Sequence, residues 1–224
     1  MRIGLIGGTG PAGSALGARL ASVGYEVVIG SRTLERAQEV CAQVLAKWPD
    51  HSLTISAGDN SAAAKCDVVV LATPWDSAAS MAKEFAVELQ GKVLISMANA
   101  LIRVGHEFQP LLPPRGSIAA HVQASAPSSR VVVAFHHLPA KELGQLFEPI
   151  DSDVLICSDD IDATKVVAEI VDKIPGCRSL DAGELSNALA IEAFTTVLLQ
   201  LNVRYKTRVA LRLTGIKGDP RASA

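Results

Sequence analysis

Residues 3–20 read IGLIGGTGPAGSALGARL, a short apolar run that ends among Gly7, Gly8, Gly10 and Gly13 before a helical pattern begins. Arg2–Ile6 is expected to form a buried strand, and Ala12–Val23 a helix closing at Gly24. Gly8-Thr9-Gly10-Pro11-Ala12-Gly13 is a G-x-G-x-x-G. By itself that pattern is common; between a strand and a helix it predicts a dinucleotide site. Glycine permits the tight turn and lets backbone N–H groups approach a pyrophosphate. The helix N-terminus turns unpaired donors and partial positive charge toward the phosphates. Pro11 suits the first helical turn, where a missing N–H costs nothing.

The end of the next strand, Glu26–Ile29, selects the dinucleotide. NAD sites place a carboxylate there for the ribose 2′-hydroxyl. This chain has Gly30-Ser31-Arg32-Thr33, with Arg36 one helical turn on. Glu35 projects from a different side of the helix. A hydroxyl and two guanidiniums within a turn suit a 2′-phosphate, which arginine grips through paired donors. Ser31, Arg32 and Arg36 therefore predict NADP(H).

Beyond a helix from Thr33 to Lys47, LTIS (53–56) is a weak strand and DVVVLAT (67–73) a strong one. The latter does not alternate, which indicates burial on both faces as in a parallel sheet. A helix over 76–89 and the strand KVLIS (92–96) complete a strand–helix rhythm. The expected class is α/β, a doubly wound Rossmann-type parallel sheet with a smaller, mainly helical C-terminal part. Pro110, Pro113 and Pro114 mark a loop-rich stretch. Later elements are a helix over 118–126, strands over 130–135, 152–159 and 177–183, a helix over 161–174, and helix from 184 to 212. The expected boundary, a soft one, lies near Pro139–Pro149, dividing an NADP-binding part (1–140) from a second part (141–224).

The chain has 224 residues, 49% hydrophobic but only 4% aromatic, so its core must be aliphatic. Its net charge of −2 gives no ground for a nucleic-acid or anionic-membrane partner. Cys41, Cys66, Cys157 and Cys177 are widely spaced, without C-x-x-C, and read as free thiols of a cytoplasmic protein with no metal site. No apolar run resembles a signal peptide or a membrane span.

Thr73-Pro74-Trp75 and Ser96–Asn99 fall at the carboxyl ends of two strands, on the edge where open α/β sheets bind ligands. The Thr73 backbone is placed to line the pocket. Trp75 either covers the nicotinamide-side ribose or packs as the first turn of its helix, and Asn99 reaches either nicotinamide or substrate.

Taken in order, G-G-T-G, S-R, T-P-W, the AFHHLPA of 134–140 and the LDAGELSNA of 180–188 resemble the NADPH-dependent reductases of the deazaflavin coenzyme F420. The same fold occurs in the reductase domain of animal membrane metalloreductases. The similarity runs to GIK at 215–217. It implies reversible hydride transfer between NADPH and C5 of the deazaflavin, F420 being the co-substrate. Thr9–Ala12 would hold the pyrophosphate, and Thr73, Trp75, Asn99 and Ala140 the nicotinamide half. His136, Leu138 and Pro139 would border the deazaflavin cleft, with Ser186 and Asn187 opposite.

Hydride transfer needs alignment and water exclusion more than acid–base groups. No catalytic residue is assigned, and His136 is the candidate to hydrogen-bond the deazaflavin, against a structural role at a strand end. Arg204, Lys206, Arg208 and Arg212 are either a solvated face or an attraction for the coenzyme's acidic tail. Leu185, Leu189, Phe194, Val197, Leu198 and Leu201 pack the core or the seam of a homodimer. The alternatives are an NADPH-dependent flavin or ferric-chelate reductase and a non-enzymatic NADP(H) sensor. The absence of an N-x-x-K or S-x-x-x-K pair in a catalytic position argues against an ordinary ketone reductase.

Overall fold

The computed structural model describes residues 1–216. Lys217 of the GIK motif and the end of the second part lie outside the described residues. In chain order come β1 (Arg2–Ile6), α1 (Pro11–Ser22), β2 (Glu26–Ser31), α2 (Leu34–Lys47), β3 (Ile55–Asp59), α3 (Asn60–Ala64), β4 (Val68–Leu71), α4 (Trp75–Glu84) and β5 (Val93–Ser96). A hairpin, β6 (Leu101–Val104) and β7 (Glu107–Pro110), precedes α5 (Ile118–Ser125), β8 (Arg130–Val133) and α6 (Ala140–Leu143). Then follow β9 (Ser152–Ile156), α7 (Ile161–Asp172), β10 (Cys177–Asp181), a 3-10 turn (Leu185–Asn187) and α8 (Ala188–Tyr205).

Six strands form one parallel sheet in the order β3-β2-β1-β4-β5-β8. Every residue of β4 and β5 is buried. That is the physical reason these strands read as unbroken apolar runs. One face packs under α1, α2 and α7, the other under α3, α4, α5 and the start of α8. Aliphatic side chains fill both cores, and Phe135 is the one fully buried aromatic among the largest core side chains.

Four sequence expectations shift. The third strand begins at Ile55 instead of Leu53 and runs to Asp59, where the Asp59 side chain accepts from Ala62 N and starts α3. The helix after β4 ends at Glu84, short of Leu89. The loop-rich stretch contains the β6–β7 hairpin, turned at Gly105 with φ +60°. α8 stops at Tyr205 instead of continuing to Arg212, because Lys206 takes a left-handed conformation (φ 50°, ψ 40°).

The chain then returns beside β9. Leu211 O accepts from Asp153 N, and Leu213 N donates to Asp153 Oδ2, both at 2.6 Å. β9 and β10 make a separate parallel pair, joined to β8 by a single antiparallel bridge, Val133 to Cys157. No helix among the described residues is long and apolar enough to cross a membrane.

Candidate functional site

The glycine turn at the carboxyl end of β1 is built by close approach. Gly7 has φ +68°, and a Cβ there would stand 2.6 Å from Thr73 Cγ2. A Cβ on Gly13 would meet Gly8 Cα at 2.9 Å and Ala72 Cβ at 3.0 Å, so α1 is seated directly on the turn. Gly10 is the N-cap of α1 and supplies no capping side chain, Pro11 follows, and no acidic residue occupies the first turn. A Cβ on Gly10 would meet nothing within 4 Å. Thr9, Gly10, Ala12 and Gly13 thus present uncapped N–H donors beside open space, and Pro11, which has none to lose, completes a cradle that fits a pyrophosphate.

Asn60 was missed in the sequence. It is buried at the start of α3, and its Oδ1 accepts from Gly7 N at 3.0 Å, pinning the turn from the neighbouring strand crossing. The signal was the Asp59-Asn60 pair, a capping residue followed by a short polar side chain.

Ser31 is buried at the end of β2, and with Arg32 it lines a cavity of about 370 Å³ that also contains Asp59 and Asn60. A carboxylate is therefore present near the strand end after all: Asp59, the register partner of Ser31, comes from β3 and is engaged in capping α3. Arg32 makes no ion pair among the described residues, whereas Arg36 pairs with Glu39 at 3.0 Å. Arg36 lies with Thr9 and Ala140 in a different groove, of about 520 Å³.

Along the carboxyl edge of β4, β5 and β8, three buried polar atoms have no hydrogen-bond partner: Thr73 Oγ1, Ser96 Oγ and His136 Nδ1. Buried polar atoms are almost always paired, so such a row on adjacent strands sets this edge apart. Trp75 opens α4 and faces a cavity shared with Ala100 and Leu111–Pro114, away from the glycine turn. Its first-turn packing is the reading the geometry favours. Asn99 is engaged within the protein: its Nδ2 donates to His136 O at 2.8 Å, and its Oδ1 accepts from Thr195 at 3.3 Å. It therefore fixes the backbone of the histidine pair.

His137 Nε2 lies 2.7 Å from Asp153 O, a contact that requires the nitrogen to donate. In a neutral ring the His137 Nδ1 is then an acceptor, 3.4 Å from His136 Nε2. Burial, and then the neighbouring His137, lower the His136 pKa well below the ordinary histidine value, against the opposing carbonyls of Ala134 and Ile191. Burial likewise lowers that of His137. His136 is thus a neutral imidazole near pH 7, with no charge to offer.

His136, Leu138, Pro139 and Ala140 line one cavity of about 440 Å³, closed on its far side by Thr195 and Leu198 of α8 and by Arg208 beyond it. Ser186 and Asn187 do not face this cavity. Ser186 lines another, with Arg115 and Gln123, and Asn187 Nδ2 donates to Ala182 O at 2.7 Å. The 3-10 turn directs both side chains away before α8 reaches the histidines.

Three of the four basic C-terminal residues are also committed, and the fourth, Lys206, is the C-cap of α8. Arg204 pairs with Glu107 at 2.6 Å, Arg208 with Glu142 at 3.1 Å, and Arg212 with Asp153 at 2.8 Å and with Asp151. Asp153 is fully buried. Burial would raise its pKa, but the Arg178 bonds, the Leu213 amide and Arg212 outweigh it and hold the carboxyl at about 2. No cluster that could hold a metal occurs among the described residues.

This sheet, with an uncapped helix after a glycine turn and a cleft along its carboxyl edge, defines a Rossmann-type dinucleotide-binding protein. A profile of the family described as "NADP oxidoreductase coenzyme F420-dependent" matches residues 2–100. The chain is 35% identical to the F420-dependent NADP reductase of Methanocaldococcus jannaschii, the alignment covering 97% of this chain and 100% of that one. It is 34% identical to the F420-dependent NADP reductase of Methanothermobacter thermautotrophicus, covering 96% of each. The chain belongs to the F420-dependent NADP reductase family. Its fold is shared with the crystal structure of a protein from Arthrobacter sp. FB24, at a TM-score of 0.79 and 24% identity over 95% of this chain and 99% of that one.

Proposed function

We propose that this protein transfers a hydride reversibly between NADPH and the deazaflavin coenzyme F420. When both are bound, the nicotinamide and the deazaflavin supply the redox chemistry, and the protein's task is alignment. The observation that carries this reading is the carboxyl edge itself. Uncapped N–H groups of α1 and three unpartnered polar atoms share the carboxyl edge of one sheet with an apolar cavity walled by His136, Leu138, Pro139 and Ala140.

In this reading Gly8–Gly13 hold the pyrophosphate, and Ser31, Arg32 and Arg36 the 2′-phosphate. Thr73 and Ala140 flank the nicotinamide, while Asn99 serves by holding His136. Neutral His136 borders the deazaflavin cleft. Residues 1–140 carry NADP, and the second part closes the deazaflavin cleft through α8. We further propose a homodimer acting on small molecules in the cytoplasm, a setting that suits four free cysteines, three of them buried.

The test is anaerobic mixing of the protein with NADPH and F420, following the deazaflavin absorbance, with NADH and FMN in parallel. Bleaching with NADPH and F420 alone is expected. Reduction of FMN or a ferric chelate, with F420 untouched, would overturn the assignment, and tight NADPH binding without any acceptor reduction would point to a sensor.

A further inference from the structure

We propose that Arg19 is a positioning residue for hydride transfer. It clasps the wall between the two ligand cavities to the helix that carries the glycine turn. The inference rests on the reductase reading above.

Arg19 lies near the end of α1 and is fully buried, the largest side chain so enclosed. A guanidinium carries five N–H donors in one plane. Here each finds a main-chain carbonyl: Nε donates to Leu143 O at 3.1 Å, NH1 to Leu146 O at 3.4 Å and Glu148 O at 3.1 Å, and NH2 to Glu142 O at 2.9 Å and Gln145 O at 2.5 Å. No carboxylate pairs with it among the described residues.

Burying a cation without a counter-ion is expensive, and an apolar side chain would pack this space at lower cost. What the apolar side chain cannot do is gather five carbonyls of a segment that has no regular structure after Leu143. The bonds therefore fix a shape. The shape matters because of where the segment starts. α6 begins at Ala140, and both Ala140 and Lys141 line the cavity of His136 on one side and the groove of Thr9 and Arg36 on the other. A second tie to the same wall comes from α2, where exposed Lys47 Nζ donates to Gly144 O at 3.1 Å. The segment that borders both cavities is thus held to α1 and α2, at a distance set by Arg19.

Hydride transfer needs its two carbons in near-attack range, and a displacement of about 1 Å costs on the order of 100-fold in rate. Loosening this wall should then slow transfer while leaving the uncapped end of α1, and NADPH affinity, largely intact.

The experiment compares the wild type with Arg19→Lys, which keeps the charge but loses the five-donor plane, and with Lys47→Met, an exposed position that does not threaten folding. NADPH affinity is read by fluorescence titration, single-turnover reduction of F420 by stopped flow, and amide hydrogen exchange peptide by peptide. Arg19→Lys is expected to slow the single turnover by about 10- to 100-fold, with NADPH affinity changed less than about threefold. Lys47→Met should show the same split at roughly two- to fivefold. Exchange should rise over 140–148 and not over β1 and the first turns of α1.

A loss proportional to the unfolded fraction, or equal losses in NADPH affinity and transfer, would overturn the inference. So would an unchanged Lys47→Met, should Arg19→Lys not fold. A wild type that leaves F420 untouched would sink the reductase reading instead; the clasp is then decided by exchange and NADPH affinity, and unchanged exchange over 140–148 overturns it.

Discussion

The two guanidiniums at the end of β2 differ in what they already hold. Arg32 has no ion pair among the described residues, while Arg36 is shared with Glu39 in an exposed pair, which contributes little and is readily exchanged for a doubly charged phosphate. Replacing both with alanine is therefore expected to weaken NADPH by roughly 30- to 100-fold and NADH by less than about twofold. Fluorescence titration checks this, and equal losses would refute the 2′-phosphate assignment. Gly7 makes a stability prediction. With φ +68° and Thr73 Cγ2 2.6 Å from a would-be Cβ, Gly7→Ala combines left-handed strain with a clash against the neighbouring strand end. A loss of about 2–3 kcal/mol is expected in denaturant unfolding, and a change below about 0.5 kcal/mol would contradict the geometry. The glycine turn was legible because local rules dictate it: glycine spacing and a proline at a helix start. Asp59 beside Ser31, Asn60 beneath Gly7 and the contact of His137 with Asp153 were not, since each depends on a partner from a distant part of the chain. Ser186 and Asn187 were misplaced for the same reason, the resemblance giving their identity but not the turn that directs them elsewhere.

Among the elements, α5 is capped in an unusual way. Ser117 accepts from Ala120 N, and the buried Glu192 of α8 accepts from Ile118 N at 2.9 Å and Ala119 N at 3.0 Å. Burial raises the Glu192 pKa from 4.5 to about 7, against the two amide bonds, which lower it. The folded state therefore binds this proton more tightly than the unfolded state. Its contribution to stability is greatest below pH 4.5, declines as pH rises from there to about 7, and is flat above. Subtracting the stability of Glu192→Gln from that of wild type, in urea unfolding between pH 4 and 8, should isolate that decline; a flat or rising difference would refute it. In the sequence Glu192 merely interrupted an apolar stretch, and nothing local announced that it reaches another helix. The strands of the main sheet were legible because burial on both faces leaves unbroken aliphatic runs. The β6–β7 hairpin was obscured by Pro110, Pro113 and Pro114, although Val104-Gly105-His106-Glu107 carries a two-residue turn signal. The overlong last helix reflects a sequence that stays helix-compatible past Tyr205. Its stop comes from Lys206 in the left-handed region, from Asn202 Oδ1 accepting Val209 N at 2.6 Å, and from the pull of Asp153 on the returning chain.

At the scale of the whole molecule, the face of α8 turned away from the sheet sets the expected assembly. Phe194, Val197, Leu201 and Tyr205 fall at helical spacing, with Val197 48% and Tyr205 72% exposed. The hairpin extends this surface. It is stitched to α8 by Gln200, whose Oε1 accepts from Phe108 N at 3.1 Å, and by the Arg204–Glu107 pair, and it leaves Ile102 and Val104 about half exposed. Apolar residues gathered on two adjoining elements form the kind of patch that marks an interface, and a twofold axis would let each α8 cover the other. The same helix walls the cavity of His136 through Thr195 and Leu198, so pairing would also brace the second ligand site. Light scattering at micromolar concentration is expected to give twice the chain mass. Val197→Glu together with Tyr205→Glu, both exposed in the isolated chain, should yield a folded monomer that binds NADPH normally, because the glycine turn lies between β1 and α1 and takes no residue from α8. A wild type that is monomeric at that concentration, or a double variant that remains dimeric, would place the interface elsewhere or remove it.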